Sequence, residues 1–169
     1  MNKYSLMLSI TFLLLVSSVN AQNEKLQTVF IYNFTKHIEW PPEYSSGDFV
    51  IGVLGNSPII EEIEKLAENR KIGNQKIVVN KYRTVDDIGQ CNIIFIPKNK
   101  SGEIGNVLSK VKNNSTLIIT EKEGMAVAGA AINFIIKDGK QKFELKKSNA
   151  TKYGLKVSSD LERLGIVVK

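Results

Sequence analysis

Few side chains in this sequence are equipped to make or break bonds. His37 is its one imidazole and Cys91 its one thiol, which excludes a multi-histidine metal site and a thiolate zinc cluster. A Ser/His/Asp set built on His37 is formally open, but no G-x-S-x-G elbow accompanies it, and a lone His on a helix is more often packed or solvated. Cys91 stands in GQCNIIFIP, at the entry to an apolar strand and without a neighbouring base. It reads as a buried thiol acting as a small hydrophobe. One Cys permits no internal disulfide, so an apolar core must hold the fold. No catalytic residue, cofactor or metal is expected, and the reading is of a protein that is not an enzyme.

Two stretches carry binding chemistry instead. In GVLGNSP, two glycines three residues apart follow an apolar strand, where dinucleotide-binding folds place a glycine-rich turn. The third glycine of G-x-G-x-x-G is missing, so the match is weak. Backbone donors at Gly55, Asn56 and Ser57 could still receive an anion or a small carboxylate. The second stretch is FIYNFTKHIEWPP, Phe30 to Pro42. Phe30 and Phe34 share one helix face and read as core. Tyr32 and Lys36 lie on a different face, His37 stands near the helix end, and Trp40 falls at the exit, where a half-exposed ring can anchor a partner. These four are the first candidates for partner contact, with Asn133 and Phe134 near the hairpin as second choices.

The elements that must position these residues start after an N-terminal leader. One Lys precedes an apolar run from about Leu6 to Val16, and small residues end it at Ala21. This is the three-part pattern of a secretory signal peptide, with cleavage expected after Ala21. The run falls short of the ~20 apolar residues that span a bilayer, and no Cys follows it as a lipid-attachment point. Residues 22–169 are expected to form a single domain around one core. The formal net charge of +6 is spread along the chain rather than gathered in blocks. An exported chain with scattered lysines implies no nucleic-acid partner; it suits a solvated basic surface near anionic lipid or an acidic protein.

Leu26, Phe30, Phe34 and His37/Ile38 recur at helical spacing, with Val29 and Ile31 broadening the stripe. The first helix is predicted to run to about Glu39, where Pro41 and Pro42 stop it. FVIGVLG reads as a strand buried on both faces, and KIVVNKY, NIIFIP and TLIIT read as further strands. Helices are expected over IIEEIEKLAENR, with Ser57 as its cap and Pro58 at its first position, and over SGEIGNVLSKVKN. AINFIIKDGKQKFEL is two alternating runs joined by Asp138-Gly139, a strong hairpin signal. Further helices are expected from about Asn149 to Gly154 and from Ser159 to Leu164. The whole predicts an α/β fold: a three-layer, mostly parallel sheet flanked by helices, Rossmann-like, with an antiparallel hairpin closing one edge.

YNFTKHIEWP, VIGVLGNSP, CNIIFIP, GAAINFIIKDGKQKFEL and YGLKVSSDLERLGIV, taken in that order from about Leu26 to Val168, resemble the YfiR/HmsC-like family of exported bacterial proteins. The resemblance implies a periplasmic α/β repressor that docks on the periplasmic domain of an inner-membrane diguanylate cyclase or another sensor protein. Cyclic di-GMP and biofilm formation would be held low, and an outer-membrane lipoprotein could draw the repressor away. A homodimer is compatible with the resemblance. The chain departs from the family in its cysteines, since Cys91 alone matches a family position, and in LKKSNA after the last long strand. A reading of another class is a periplasmic small-molecule sensor feeding a membrane receptor or histidine kinase. Its ligand would sit at the carboxyl ends of the strands, near Gly55 to Pro58 and Ile96 to Lys98.

Overall fold

The computed structural model describes residues 22–169; the leader and its expected cleavage after Ala21 lie outside the described residues. The first helix, α1, covers residues 22–34 and is followed by the two-residue strand β1, Ile38–Glu39. Then come β2 (Phe49–Leu54), α2 (Ile59–Asn69), β3 (Lys71–Ile72), β4 (Gln75–Tyr82) and β5 (Ile93–Ile96). A 3-10 turn, Lys98–Glu103, leads into α3 (Ile104–Lys110), β6 (Leu117–Thr120) and α4 (Met125–Ala128). The chain ends with β7 (Ile132–Lys137), β8 (Lys140–Leu145), α5 (Lys147–Thr151), β9 (Lys156–Val157), α6 (Ser159–Leu164) and β10 (Ile166–Val167).

Eight strands form one sheet in the order β10-β8-β7-β6-β5-β2-β4-β3, and β1 pairs with β9 in a small antiparallel sheet. Residues of β2, β5 and β6 are almost all buried, as continuous apolar runs require when both faces of a sheet are covered. The strands from β7 through β6, β5 and β2 to β4 run parallel, whereas β7–β8 and β3–β4 are antiparallel. The sheet is therefore mixed, which corrects the expectation of a mostly parallel one. The hairpin does not close the edge either, because β10 adds outside it, parallel to β8. Two residues of β10 are too short for a periodic signal, so only the tertiary pairing reveals the strand. The hairpin turn itself forms as its sequence demands: Asp138 and Gly139 both take positive φ, 54° and 69°, as a type I′ turn needs.

Two features of α1 differ from the sequence expectation. Its helical residues end at 34, not near Glu39. Backbone amides of Lys36 and His37 donate to the carbonyls of Asn33 and Phe34, each at 3.0 Å, and the Thr35 hydroxyl donates to the Tyr32 carbonyl at 2.7 Å. These tight turns release Ile38 and Glu39 to pair with Val157 and Lys156. Strand pairing has overridden the helical pattern before the prolines are reached.

The buried stripe is also rotated. Gln27, Thr28, Ile31 and Phe34 are covered, whereas Leu26 is 39% and Val29 44% exposed. Polar side chains are thus inside at the start of the helix and apolar ones outside. Along α2, Ser57 supplies its carbonyl to the Ile60 amide rather than a side-chain cap, so the expected Ser cap is absent.

Candidate functional site

The second half of α1 packs its rings into the hairpin. Phe34 meets Phe143 edge-on at 4.9 Å and Phe134 at 6.0 Å, and Phe30 sits 5.8 Å from Phe143. Such pairs add ~0.5–1.5 kcal/mol each beyond burial. Phe34 is fully buried, as expected, but Phe30 is only partly covered. Its open side faces a groove of about 570 Å³ bounded by α1, β8, α6 and β10. The lining includes Phe30, Phe34, His37, Leu161, Leu164 and Ile166. Gly165 at its floor allows the Phe143 ring to approach, since a Cβ there would stand 2.5 Å from that ring. Leu164 is 68% exposed and the neighbouring Val167 53%.

The four candidates from the α1 stretch divide between three places. His37 lines the groove, with its Nδ1 3.4 Å from the Ser158 hydroxyl. That hydroxyl already accepts the Leu161 amide as the cap of α6, and no carboxylate bonds the imidazole among the described residues. The contact is the start of a nucleophile and base pair without the orienting third group. Tyr32 and Lys36 lie on another side of the helix: the Lys36 ammonium stands 4.8 Å above the Tyr32 ring, and the Tyr32 hydroxyl donates to the Lys71 carbonyl. Trp40 is half-buried, its indole N–H donating to the Asn92 carbonyl at 3.1 Å and its ring edge-on to Phe49 at 5.1 Å. Much of that ring is committed to the protein's own core.

Asn133 and Phe134 are core residues, with 0% and 1% exposure. Neither side chain can touch a partner on this surface, which corrects their choice as contact residues. The alternation of the hairpin strand was legible, but which face it buries depended on α1 lying across it. Asn133 instead belongs to a polar chain: its amide oxygen accepts from the Thr120 hydroxyl at 2.8 Å, and its amide nitrogen donates to Glu144 at 2.8 Å.

That chain borders a second cavity, of about 510 Å³, beyond the ends of β5 and β6 and under the first turns of α1. Gln27, Glu24, Glu121, Glu144 and Lys98 are among its walls. Glu121 accepts from the Lys98 backbone amide at 2.9 Å and from Gln27 at 3.3 Å. Burial lifts the Glu24 carboxyl above its ordinary value; a bond to its own backbone amide opposes this, and the charges of Glu121 and Glu62 add to the rise. Sequence reasoning singled out Ile96 to Lys98 but missed Gln27 and Glu121. Glu121 follows a buried strand directly, at the end where open α/β sheets hold ligands; that position was a usable signal.

Gly55, Asn56 and Ser57 form an ordinary strand-to-helix turn. Gly55 takes a φ of 78° and its amide donates to the Tyr82 carbonyl. The Asn56 side chain accepts from Lys81 at 3.0 Å, and the shallow hollow beside it is walled by Glu61 and Glu64. An anion there would meet two carboxylates. Cys91 is buried and unpaired, and loss of solvation pushes its thiol up to about 12, the Thr116 hydroxyl opposing slightly. It is the inert small hydrophobe expected. Among the described residues no group of three or more His, Cys, Asp or Glu could hold a metal ion, and no helix is long and apolar enough to cross a membrane.

Fold and surface together describe an α/β protein with an apolar groove and a polar cavity at the two ends of α1. The profile of the YfiR/HmsC-like family matches residues 24–165. The chain belongs to that family. No curated protein matches it closely enough to name a nearer relative.

Proposed function

We propose that this protein is a periplasmic regulator that binds the periplasmic domain of an inner-membrane diguanylate cyclase and holds its output low, restraining cyclic di-GMP and biofilm formation. The observation that carries this reading is family membership over nearly the whole described chain. In the same reading, residues 1–21 are an export signal cleaved after Ala21, and residues 22–169 act as one domain. An outer-membrane lipoprotein that withdraws the repressor would restore cyclase activity.

The groove beside β10 is the docking surface this reading favours. Leu164 and Val167 are exposed beside it, and Leu26 and Val29 stand one turn before Phe30 and Asn33 on the same helix. Exposed apolar side chains around a concave wall are how partner surfaces anchor. Tyr32 and Lys36 would supply polar contacts at the rim, with His37 inside the groove. The sheet ends at β10, so a partner segment could also lie along that edge.

The work required of the contact is small. A regulator biases a two-state enzyme only by its difference in affinity for the two states, and ~1–3 kcal/mol gives roughly a 5- to 150-fold bias. Deleting the gene and measuring cyclic di-GMP tests the reading. A rise in the nucleotide together with denser biofilm is expected; unchanged nucleotide with unchanged biofilm would refute cyclase repression.

A further inference from the structure

The parallel part of the sheet reverses its winding at β2. From β2 the chain passes through α2 to β4 on one side, and from β4 it returns to β5 on the other side of β2. Open α/β sheets hold ligands at such a point, in the crevice outside the carboxyl ends of the strands. A cleft of about 540 Å³ lies there, within the size range of small-molecule sites. Leu54 ends β2, Arg83 follows β4, and Lys100 and Glu103 stand in the turn after β5, while α3 adds Asn106 and Lys110. The cleft shares no residue with the hollow walled by Glu61 and Glu64.

Its polar groups are unevenly matched. The Lys110 ammonium donates to the Asp86 carbonyl and the Asn106 amide to the Glu103 carboxylate, each at 2.8 Å. Among the described residues, no carboxylate pairs with Arg83 or Lys100. Lys100 is also held in place. Gly55, the residue after β2, makes room for its stem: a Cβ there would stand 2.9 Å from Lys100 Cε and 3.2 Å from its Cγ. The half-buried stem thus lies across the strand end, and folding has already restrained an ammonium that has no counter-ion.

A guanidinium fork and an ammonium in one cleft suit a phosphoryl group, since Arg pairs two of its oxygens in a plane and Lys takes another as a point charge. The Asp86 and Glu103 carboxylates in the same cleft repel a second anionic group but accept from hydroxyls. We infer that this cleft binds a small sugar phosphate, with its phosphoryl group on Arg83 and Lys100 and its hydroxyls toward Asp86 and Glu103. The inference is independent of the docking proposal, because its test contains no partner protein.

Isothermal titration of the purified full chain with ribose 5-phosphate and with glucose 6-phosphate provides that test, with inorganic phosphate and glucose at matched ionic strength as the comparisons. Saturable one-to-one binding of at least one ester is expected, roughly tenfold or more tighter than that of inorganic phosphate, with no saturable heat from glucose. Arg83→Gln and Lys100→Met should each weaken the ester by a similar factor. Arg83 is exposed and Lys100→Met keeps an unbranched stem over Gly55, so both variants should fold; should Lys100→Met fail to, Arg83→Gln carries the test. Absence of saturable binding by both esters would overturn the inference, as would inorganic phosphate binding as tightly as the ester, or a folded variant that binds the ester as well as the parent does.

Discussion

The groove beside β10 and the cavity beyond β5 and β6 are close in volume, about 570 and 510 Å³, and both use α1 and Gln141 as walls. Their chemistry is opposite. The end of α1 and the turn after it offer Phe30, Phe34 and His37 to the groove, whereas the start of the helix offers Glu24 and Gln27 to the cavity. One helix thus walls both an apolar groove and a polar cavity. The difference arises from the rotation of the buried stripe, which covers Gln27 and Thr28, leaves Leu26 and Val29 outside and puts Gln27 in the cavity wall. Stability and binding should therefore separate along α1, and substitutions can break or sharpen that separation.

The largest effect is expected at Phe34, which anchors the helix against the hairpin beneath both regions. Phe34→Ala should cost ~3–5 kcal/mol in denaturant unfolding, the range for emptying a buried ring site, and should disturb groove and cavity together. A smaller loss that left both regions intact would mean that they are positioned independently. Trp40→Phe lies outside both. It removes one hydrogen bond to a carbonyl that the Leu117 amide also serves, so a cost of about 1 kcal/mol is expected with no change in ligand or partner binding.

Leu164→Asp tests the groove alone. The side chain is exposed, so thermal unfolding should stay within about 0.5 kcal/mol of the parent, while partner affinity falls at least tenfold. The smallest effect belongs to Glu24→Gln. Its carboxyl is raised above the ordinary 4.5 in the folded protein, so folding favours the protonated form. The stability contributed by this group is complete below that ordinary value and is lost as pH rises through the folded value. The variant should melt slightly higher than the parent at pH 7, with the gain fading below about pH 4. A lower melting temperature at pH 7 would show that the charge is already compensated.

Much of the fold was legible in the sequence, for definite physical reasons. Short runs rich in β-branched residues such as NIIFIP and TLIIT favour strands and are buried ones here, and Asp138-Gly139 supplies the two positive φ values of a tight hairpin. The elements that escaped are those whose cause is tertiary. β1, β9 and β10 have two residues each and carry no period. The early end of α1 depends on Ile38 finding Val157 more than a hundred residues away.

The candidate sites divide in the same way. Helical spacing gave Phe30 and Phe34 to the core and singled out His37 for contact; that Phe30, Phe34 and His37 line a groove with Leu161, Leu164 and Ile166 emerges only from the tertiary structure. Asn133 and Phe134 lay in an alternating strand whose buried face no local pattern could assign. Gln27 escaped because hydrophobic periodicity gives polar residues to solvent, and here a polar wall was built at the helix start instead.

The proposed function requires partner contact through the apolar groove. Affinity capture of the protein from its native envelope, beside its Leu164→Asp variant, tests this most directly. A membrane diguanylate cyclase should be recovered with the parent and lost with the variant. Recovery of the cyclase at equal yield with both, or with neither, would contradict it.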